Sequence, residues 1–208
     1  MIIAVDGPAA SGKGTIAKAL ARHYGLPHLD TGLLYRAVAA KVQQMELDPG
    51  KEADAVAACD FDESLLDNPV LRSDEIGQLA SIVSAHPLVR AALLQRQKRF
   101  AHQPGGAVLD GRDIATVVAP DADAKLFVKA TPQIRARRRH TELQERGSLL
   151  SFDKVLADIR ARDLRDSSRS TAPLVMAEGA ALIDTSFLSI ESSVEKAIAA
   201  VESQRTDR

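Results

Sequence analysis

The sequence predicts an α/β fold, a five-stranded parallel sheet with helices on both faces. Three observations predict it. Short apolar runs alternate along the whole chain with longer segments of helical periodicity. A glycine-rich turn, Gly7–Gly14, separates the first run from the first helix. Apolar residues make up 45% and charged residues 26% of 208 positions, the balance of a soluble globule able to bury a core without disulfide or metal staples.

Taken in order, strands are expected at Ile2–Asp6, Pro27–Leu29, Ala107–Asp110, Ala124–Val128 and Ala181–Asp184. Helices are expected at Lys13–Tyr24, Gly32–Met45, Asp74–Ser84, Pro87–His102, Thr131–Gly147, Phe152–Asp166 and Ile190–Val201. Pro87 suits a first helical turn, where its missing N–H has no helical partner. Thr131-Pro132 joins a capping hydroxyl to the same device. Phe61, Phe100, Phe127, Phe152 and Phe187 are expected in the core, being too sparse for a stacking platform. Two segments fit the sheet poorly. Lys51–Asp74 is acidic, weakly periodic and broken by Asn68-Pro69, and reads as a small insertion. Gly147–Ser151 splits an arginine-rich stretch into two helices, as a hairpin lid requires.

Charge excludes several functions by its sum and points to one by its distribution. Lys+Arg is 27 against Asp+Glu 28, so nothing favours a nucleic-acid or membrane-surface protein. Yet nine of the 18 arginines lie between Arg135 and Arg169. The planar guanidinium fork matches phosphate oxygens in pairs; a solvated helix face laced with Glu142, Glu145, Asp158 and Asp163 would use the same residues. Cys59 is the single cysteine, which fits a reducing compartment. No apolar run reaches the roughly 18 residues that span a bilayer, and the opening run is too short for a signal peptide, so a cytoplasmic protein is expected. No apolar stripe asks for a partner, so a monomer is expected. His23, His28, His86, His102 and His140 show no metal-ligand spacing and receive no role.

The strongest motif is Gly7-Pro8-Ala9-Ala10-Ser11-Gly12-Lys13-Gly14-Thr15. It follows an expected strand and opens an expected helix, the context a phosphate loop (P-loop) needs. Glycines let backbone N–H groups curl around an anion. The helix adds its unsatisfied N-terminal donors and the positive end of its dipole. Lys13 brings a point charge to the transferring phosphate, and the Thr15 hydroxyl faces a magnesium ion or its waters. The hydroxyl comes one residue later than the usual Gly-Lys-Ser/Thr ending, because Gly14 intervenes. Such a loop holds a nucleoside triphosphate without deciding the fate of its phosphates. A small-acceptor kinase, a GTPase switch and a motor module all use it. No Asn-Lys-x-Asp base reader for a GTPase is present, and a motor needs a larger chain or partners. A small-acceptor kinase needs a second anion site and a cover over the phosphates, and the chain offers both.

Asp30-Thr31-Gly32 opens a helix in which Thr31 serves as cap and Arg36 lies about one turn in, able to meet an acceptor phosphate. Asp110-Gly111-Arg112-Asp113 closes an apolar strand on the same edge of the sheet as the P-loop. Asp110 there is placed to hold magnesium through water, while Arg112 and Asp113 project into the crevice. Arg162, Asp166 and Arg169 are spaced by four and three, one helix face able to read a sugar or phosphate.

Gly7–Thr15, Asp30–Arg36, Ser81 with His86-Pro-Leu-Val-Arg90, Asp110–Asp113, and Arg162–Arg169 with Ala172-Pro-Leu-Val175 together resemble the bacterial cytidylate kinase family, within the P-loop nucleoside-monophosphate kinases. The resemblance runs in order through nearly the whole chain. It implies a P-loop NTPase-type five-stranded core with an acceptor-binding insertion and a helical lid, and transfer of the γ-phosphoryl group of ATP to CMP or dCMP with Mg2+. As a single domain the core would be about 1–40, 87–130 and 170–208, the insertion about 41–86 and the lid about 131–169. By matching positions, Ser81, Arg90 and Asp113 would read cytosine. Asp113 suits its exocyclic amino group and Arg90 its ring acceptors. Arg36 and Arg112 would hold the acceptor phosphate, and Arg162, Asp166 and Arg169 would approach the sugar. Thr31 stands where the family often has serine and keeps the hydroxyl. Lys13, Arg112 and Arg162 would be catalytic, and Arg135, Arg138 or Arg139 would reach the transferring group from the lid. The family's insertion is often longer, with a small sheet for which Cys59–Arg72 leaves little room.

Overall fold

The computed structural model describes residues 1–206. They form two compact units, Met1–Leu29 with Ala101 onward, and Asp30–Phe100.

The first unit carries the sheet. Its strands are β1 (Ile2–Asp6), β2 (His28–Asp30), β3 (Ala107–Gly111), β4 (Ala124–Lys129) and β5 (Ala181–Asp184), all parallel, in the order β2-β3-β1-β4-β5. β1 is central, pairing Val5 with Asp110 and Asp6 with Gly111 on one side, and Asp6 with Phe127 on the other. Every residue of β3, and every residue of β1 after Ile2, is buried, so both sheet faces are covered. α1 (Lys13–Tyr24) and α8 (Ile190–Thr206) close one face. Ile16, Ala17, Leu20 and Ala21 of α1 and Ala197 and Val201 of α8 share a core with Ile3, Val5, Val108 and Leu126. Successive strand side chains point to opposite faces. Val5 and Asp110 therefore look toward α1, and Asp6 looks the other way.

α6 (Pro132–Glu145) and α7 (Phe152–Ser168) form the expected hairpin, with Thr131 Oγ1 accepting from the N–H of Ile134. Ala136, Leu143, Val155 and Ile159 give it a small core of its own. Arg169 has left the helix: it is the C-cap, in an extended conformation, so only Arg162 and Asp166 of the expected face are helical. Phe187 is 92% exposed, not in the core. It sits in the loop after the edge strand β5, where the chain turns outward before α8.

The second unit is helical: α2 (Thr31–Gln44), α3 (Glu52–Ala57), α4 (Asp74–Val83) and α5 (Pro87–Ala101, to Phe100 within this unit). The cap of α2 is Asp30, one residue before the expected Thr31. Its carboxylate accepts from Gly32 N–H at 2.9 Å, and Thr31 becomes the buried first helical residue. The acidic segment resolves into α3 and two 3-10 turns, Glu63–Asp67 and Pro69–Arg72. Asp62 and Asn68 cap these turns by accepting from Ser64 and Val70 N–H. Such short turns run on local caps and lack helical periodicity.

Candidate active site

The P-loop leaves β1 under a tight constraint. A Cβ on Gly7 would fall 2.1 Å from the Val128 carbonyl oxygen, so β4 admits only glycine there. Ala10 holds a left-handed φ of 58°, which costs a residue with a Cβ roughly 1 kcal/mol. The loop is tied down from behind. Thr185, just past β5, donates its hydroxyl to the Ser11 carbonyl at 2.8 Å. Arg138 in turn donates to Thr185 Oγ1 at 3.0 Å and to its carbonyl at 2.7 Å. Ser11 Oγ is buried and has no hydrogen-bond partner among the described residues. Thr15 lies exposed on the first turn of α1. Asp110 reaches the same turn, with Oδ2 3.8 Å from where a Gly14 Cβ would be. The turn thus carries one exposed threonine and meets one carboxylate, oxygen donors of the kind a divalent metal uses together with waters and substrate phosphates. Among the described residues no cluster of three or more His, Cys, Asp or Glu forms a complete protein cage.

Two groups here carried no assignment from the sequence. His28 Nε2 lies 2.8 Å from Asp110 Oδ1. Pairing it with residue 110 requires the order of β2 and β3, which no local pattern gives. Asp6 is buried at the end of β1, and its carboxylate accepts from the N–H groups of Ile114 and Ala115 at 2.9 and 2.8 Å. Burial pushes this carboxyl up to about 6 against those two hydrogen bonds, with Asp113 adding to the rise and Arg112 opposing it. A lone acid ending an apolar strand was the available signal.

After β3 the chain arches through Arg112 and Asp113 into a single π-helical turn, Ile114–Val118. The Asp113 carbonyl accepts from Val118 N–H at 3.2 Å, and the Ile114 carbonyl from Ala119 N–H at 2.7 Å. Arg112 Nε donates to Asp166 Oδ2 at 2.8 Å. Burial alone would raise the Asp166 carboxyl. The guanidinium of Arg112, then those of Arg162 and Arg169, outweigh it and hold the carboxyl below the usual carboxylate range. Arg169 Nε donates to the Ala172 carbonyl at 2.6 Å, folding the segment after α7 back on itself. The first unit thus brings Arg112, Arg162, Asp166 and Arg169 together.

The arginines of α6 divide. Arg135 is 3% exposed. It donates to Asp163 through both terminal nitrogens, to the Ala130 carbonyl at 2.9 Å and to the P-loop carbonyl of Ala9 at 3.2 Å. Arg138 braces Thr185 as described, and Arg139 pairs with Glu142 at 2.9 Å within its own helix.

In the second unit Arg36 donates to the carbonyls of Leu71 and Ser73 at 2.6 and 3.0 Å. Its guanidinium lies against Gly77, where a Cβ would come within 2.8 Å of Nη2. Ser81 stands one turn later on α4 and is buried. Arg90 donates to the Ser84 carbonyl at 3.1 Å and stands over the Tyr35 ring, 5.3 Å from its centroid. Arg36, Ser81 and Arg90 are thereby gathered around α2 and α4.

A parallel sheet whose central strand runs into this loop and helix defines a nucleotide-binding protein of the P-loop class. A solved structure from Eubacterium ventriosum, of an uncharacterized protein, shares the fold with TM-score 0.54 and 14% identity, covering 98% of this chain and 99% of that one. Sequence comparison is more specific. The sequence model of cytidylate kinase matches residues 3–203. A cytidylate kinase of Xanthobacter autotrophicus is 57% identical over the full length of both chains. One of a Bradyrhizobium species is 56% identical over 100% of this chain and 99% of its own. The chain belongs to the cytidylate kinase family.

Proposed function

We propose that the chain transfers the γ-phosphoryl group of ATP to CMP or dCMP, giving ADP and CDP or dCDP, in pyrimidine nucleotide metabolism. What carries the reading is a family match over residues 3–203 that includes both the P-loop and the Arg112–Asp113 arch. The chemistry is ATP-dependent and calls for a divalent metal, which we assign as Mg2+. Thr15 and Asp110 would hold it, Asp110 through water. When bound, it neutralises charge on the ATP phosphates.

The chain's own residues do the rest. A phosphate monoester has a second pKa of about 6, so the acceptor is already largely ionised near neutral pH and needs no strong general base. Catalysis is then positioning and charge stabilisation. The amides of Gly7–Thr15 and the Lys13 ammonium hold the ATP phosphates. Arg112 and Arg162 meet the transferring group, and Arg36 with Arg112 binds the acceptor phosphate. Ser81, Arg90 and Asp113 read cytosine. Arg162, Asp166 and Arg169 take the sugar, and Thr31 assists from the start of α2. Residues 41–86 serve as the acceptor-binding insertion and 131–169 as the lid, which excludes water. Among the described residues no helix is long and apolar enough to cross a membrane. We assign a cytoplasmic monomer that binds no nucleic acid.

The test is a panel of CMP, dCMP, UMP and AMP with ATP and magnesium, scored for diphosphate products. Turnover should be fastest with CMP and dCMP. Lys13→Ala should lower kcat at least about 10³-fold and leave the melting temperature within a few degrees. Faster transfer to UMP or AMP, or near-normal turnover by Lys13→Ala, overturns the reading.

A further inference from the structure

Asp6 stands directly before the first P-loop residue, yet its side chain is spent elsewhere. Its backbone is the register partner of Gly111. Its two carboxylate oxygens each accept one N–H, from Ile114 and from Ala115. Only Arg112 and Asp113 lie between those anchor points. One residue of β1 therefore clamps both feet of a two-residue arch, and the arch carries the guanidinium and carboxylate assigned to the acceptor nucleotide. The alternation along β1 explains how: Val5 turns toward α1, so Asp6 turns to the face where the π-helical turn begins.

We infer that Asp6 is a positioning residue for acceptor recognition, setting Arg112 and Asp113 relative to the P-loop through the amides of Ile114 and Ala115. This rests on the reading that Arg112 and Asp113 contact CMP. A carboxylate suits the task because it is acceptor-only and can take two N–H groups at once. An amide of the same shape can take one and must aim its own NH2 at the other. Burial pushes this carboxyl up to about 6 even against those two hydrogen bonds.

The experiment is steady-state kinetics of Asp6→Asn with CMP and UMP, beside Asp113→Ala and the double variant, with melting temperatures for each. We expect KM for CMP to rise roughly 10-fold or more in Asp6→Asn, KM for ATP to stay within about threefold, and the CMP/UMP preference in kcat/KM to shrink. In the Asp113→Ala background Asp6→Asn should raise KM for CMP less than it does alone, because only its effect through Arg112 remains. Asp6→Ser, which keeps one acceptor oxygen without the charge, should give the same KM split if Asp6→Asn folds poorly. Equal rises in KM for CMP and ATP, a lowered melting temperature with KM for CMP unchanged, or full additivity with Asp113→Ala overturns the inference. If Asp113→Ala itself leaves the CMP/UMP preference intact, the underlying reading of the arch fails instead.

Discussion

Two arginine–aspartate pairs sit three residues apart on α7, and they are not equivalent. Arg135 grips Asp163 at the root of the hairpin, and Arg112 meets Asp166 near the helix end. Arg135 is walled in and spends its remaining donors on the Ala130 and Ala9 carbonyls. It joins α6, α7 and the P-loop into one piece. Arg112 comes from an arch rather than a helix. Besides Asp166 it has a long 3.4 Å contact to the Gly111 carbonyl, and Arg162 and Arg169 stand close enough to bear on the same carboxylate. The same two residue types make a rivet in one place and part of an arginine cluster around one carboxylate in the other. What separates them is where each comes from: Arg135 rises from a helix and also bonds the P-loop, while Arg112 comes from an arch and shares its carboxylate with two further arginines.

The difference can be broken or sharpened by substitution. Arg112→Ala should lower kcat/KM for CMP about 10³-fold, near 4 kcal/mol of transition-state stabilisation. Its melting temperature should move little, because two guanidinium groups remain beside Asp166. A loss of activity that merely tracks unfolding would erase the distinction. Arg135→Ala should cost roughly 3 kcal/mol in urea unfolding, since it leaves Asp163 and two carbonyls unmatched; KM values measured well below the melting transition should stay within about threefold. The acid limb comes next. The Asp166 carboxyl is held below its ordinary value of 3.8, so the stability it contributes is complete above pH 3.8 and is lost as pH falls further. Asp166→Asn should flatten that limb of a stability–pH curve, and an unchanged limb would deny the arginine cluster its electrostatic role. Smallest of all, Arg139→Ala should shift stability by no more than about 0.5 kcal/mol, because its pair with Glu142 is a partly exposed contact within one helix.

The legibility of each element in the sequence depends on how local its signal is. Ile2–Asp6, Lys13–Tyr24 and Ala181–Asp184 appear at the bounds expected, because glycine turns or caps beside apolar runs mark them within a few residues. Thr131 caps as expected. Asp30 replaces Thr31 as a cap because two adjacent residues both offered a suitable oxygen, and only backbone geometry chooses. The turns over 63–72 depend on Asp62, Asn68 and a contact from Arg96 to Glu63, 33 residues away. The P-loop was readable because its chemistry is contiguous. The tasks of Asp6 and His28 were not, because each touches residues 82 or more positions distant through neighbouring strands. Phe187 misled because hydrophobicity alone does not say that an edge loop turns outward.

The private apolar contacts of the α6–α7 hairpin have a mechanical corollary. Ala136 and Leu143 rest on Val155 and Ile159, so the hairpin's two arms resist sliding or splaying. Its root is pinned as well, by Arg135 on the Ala9 carbonyl and Arg138 on Thr185, so any displacement of the arms from the P-loop would have to break those bonds first. Spectroscopic labels on the two arms would keep a fixed spacing with and without bound nucleotide.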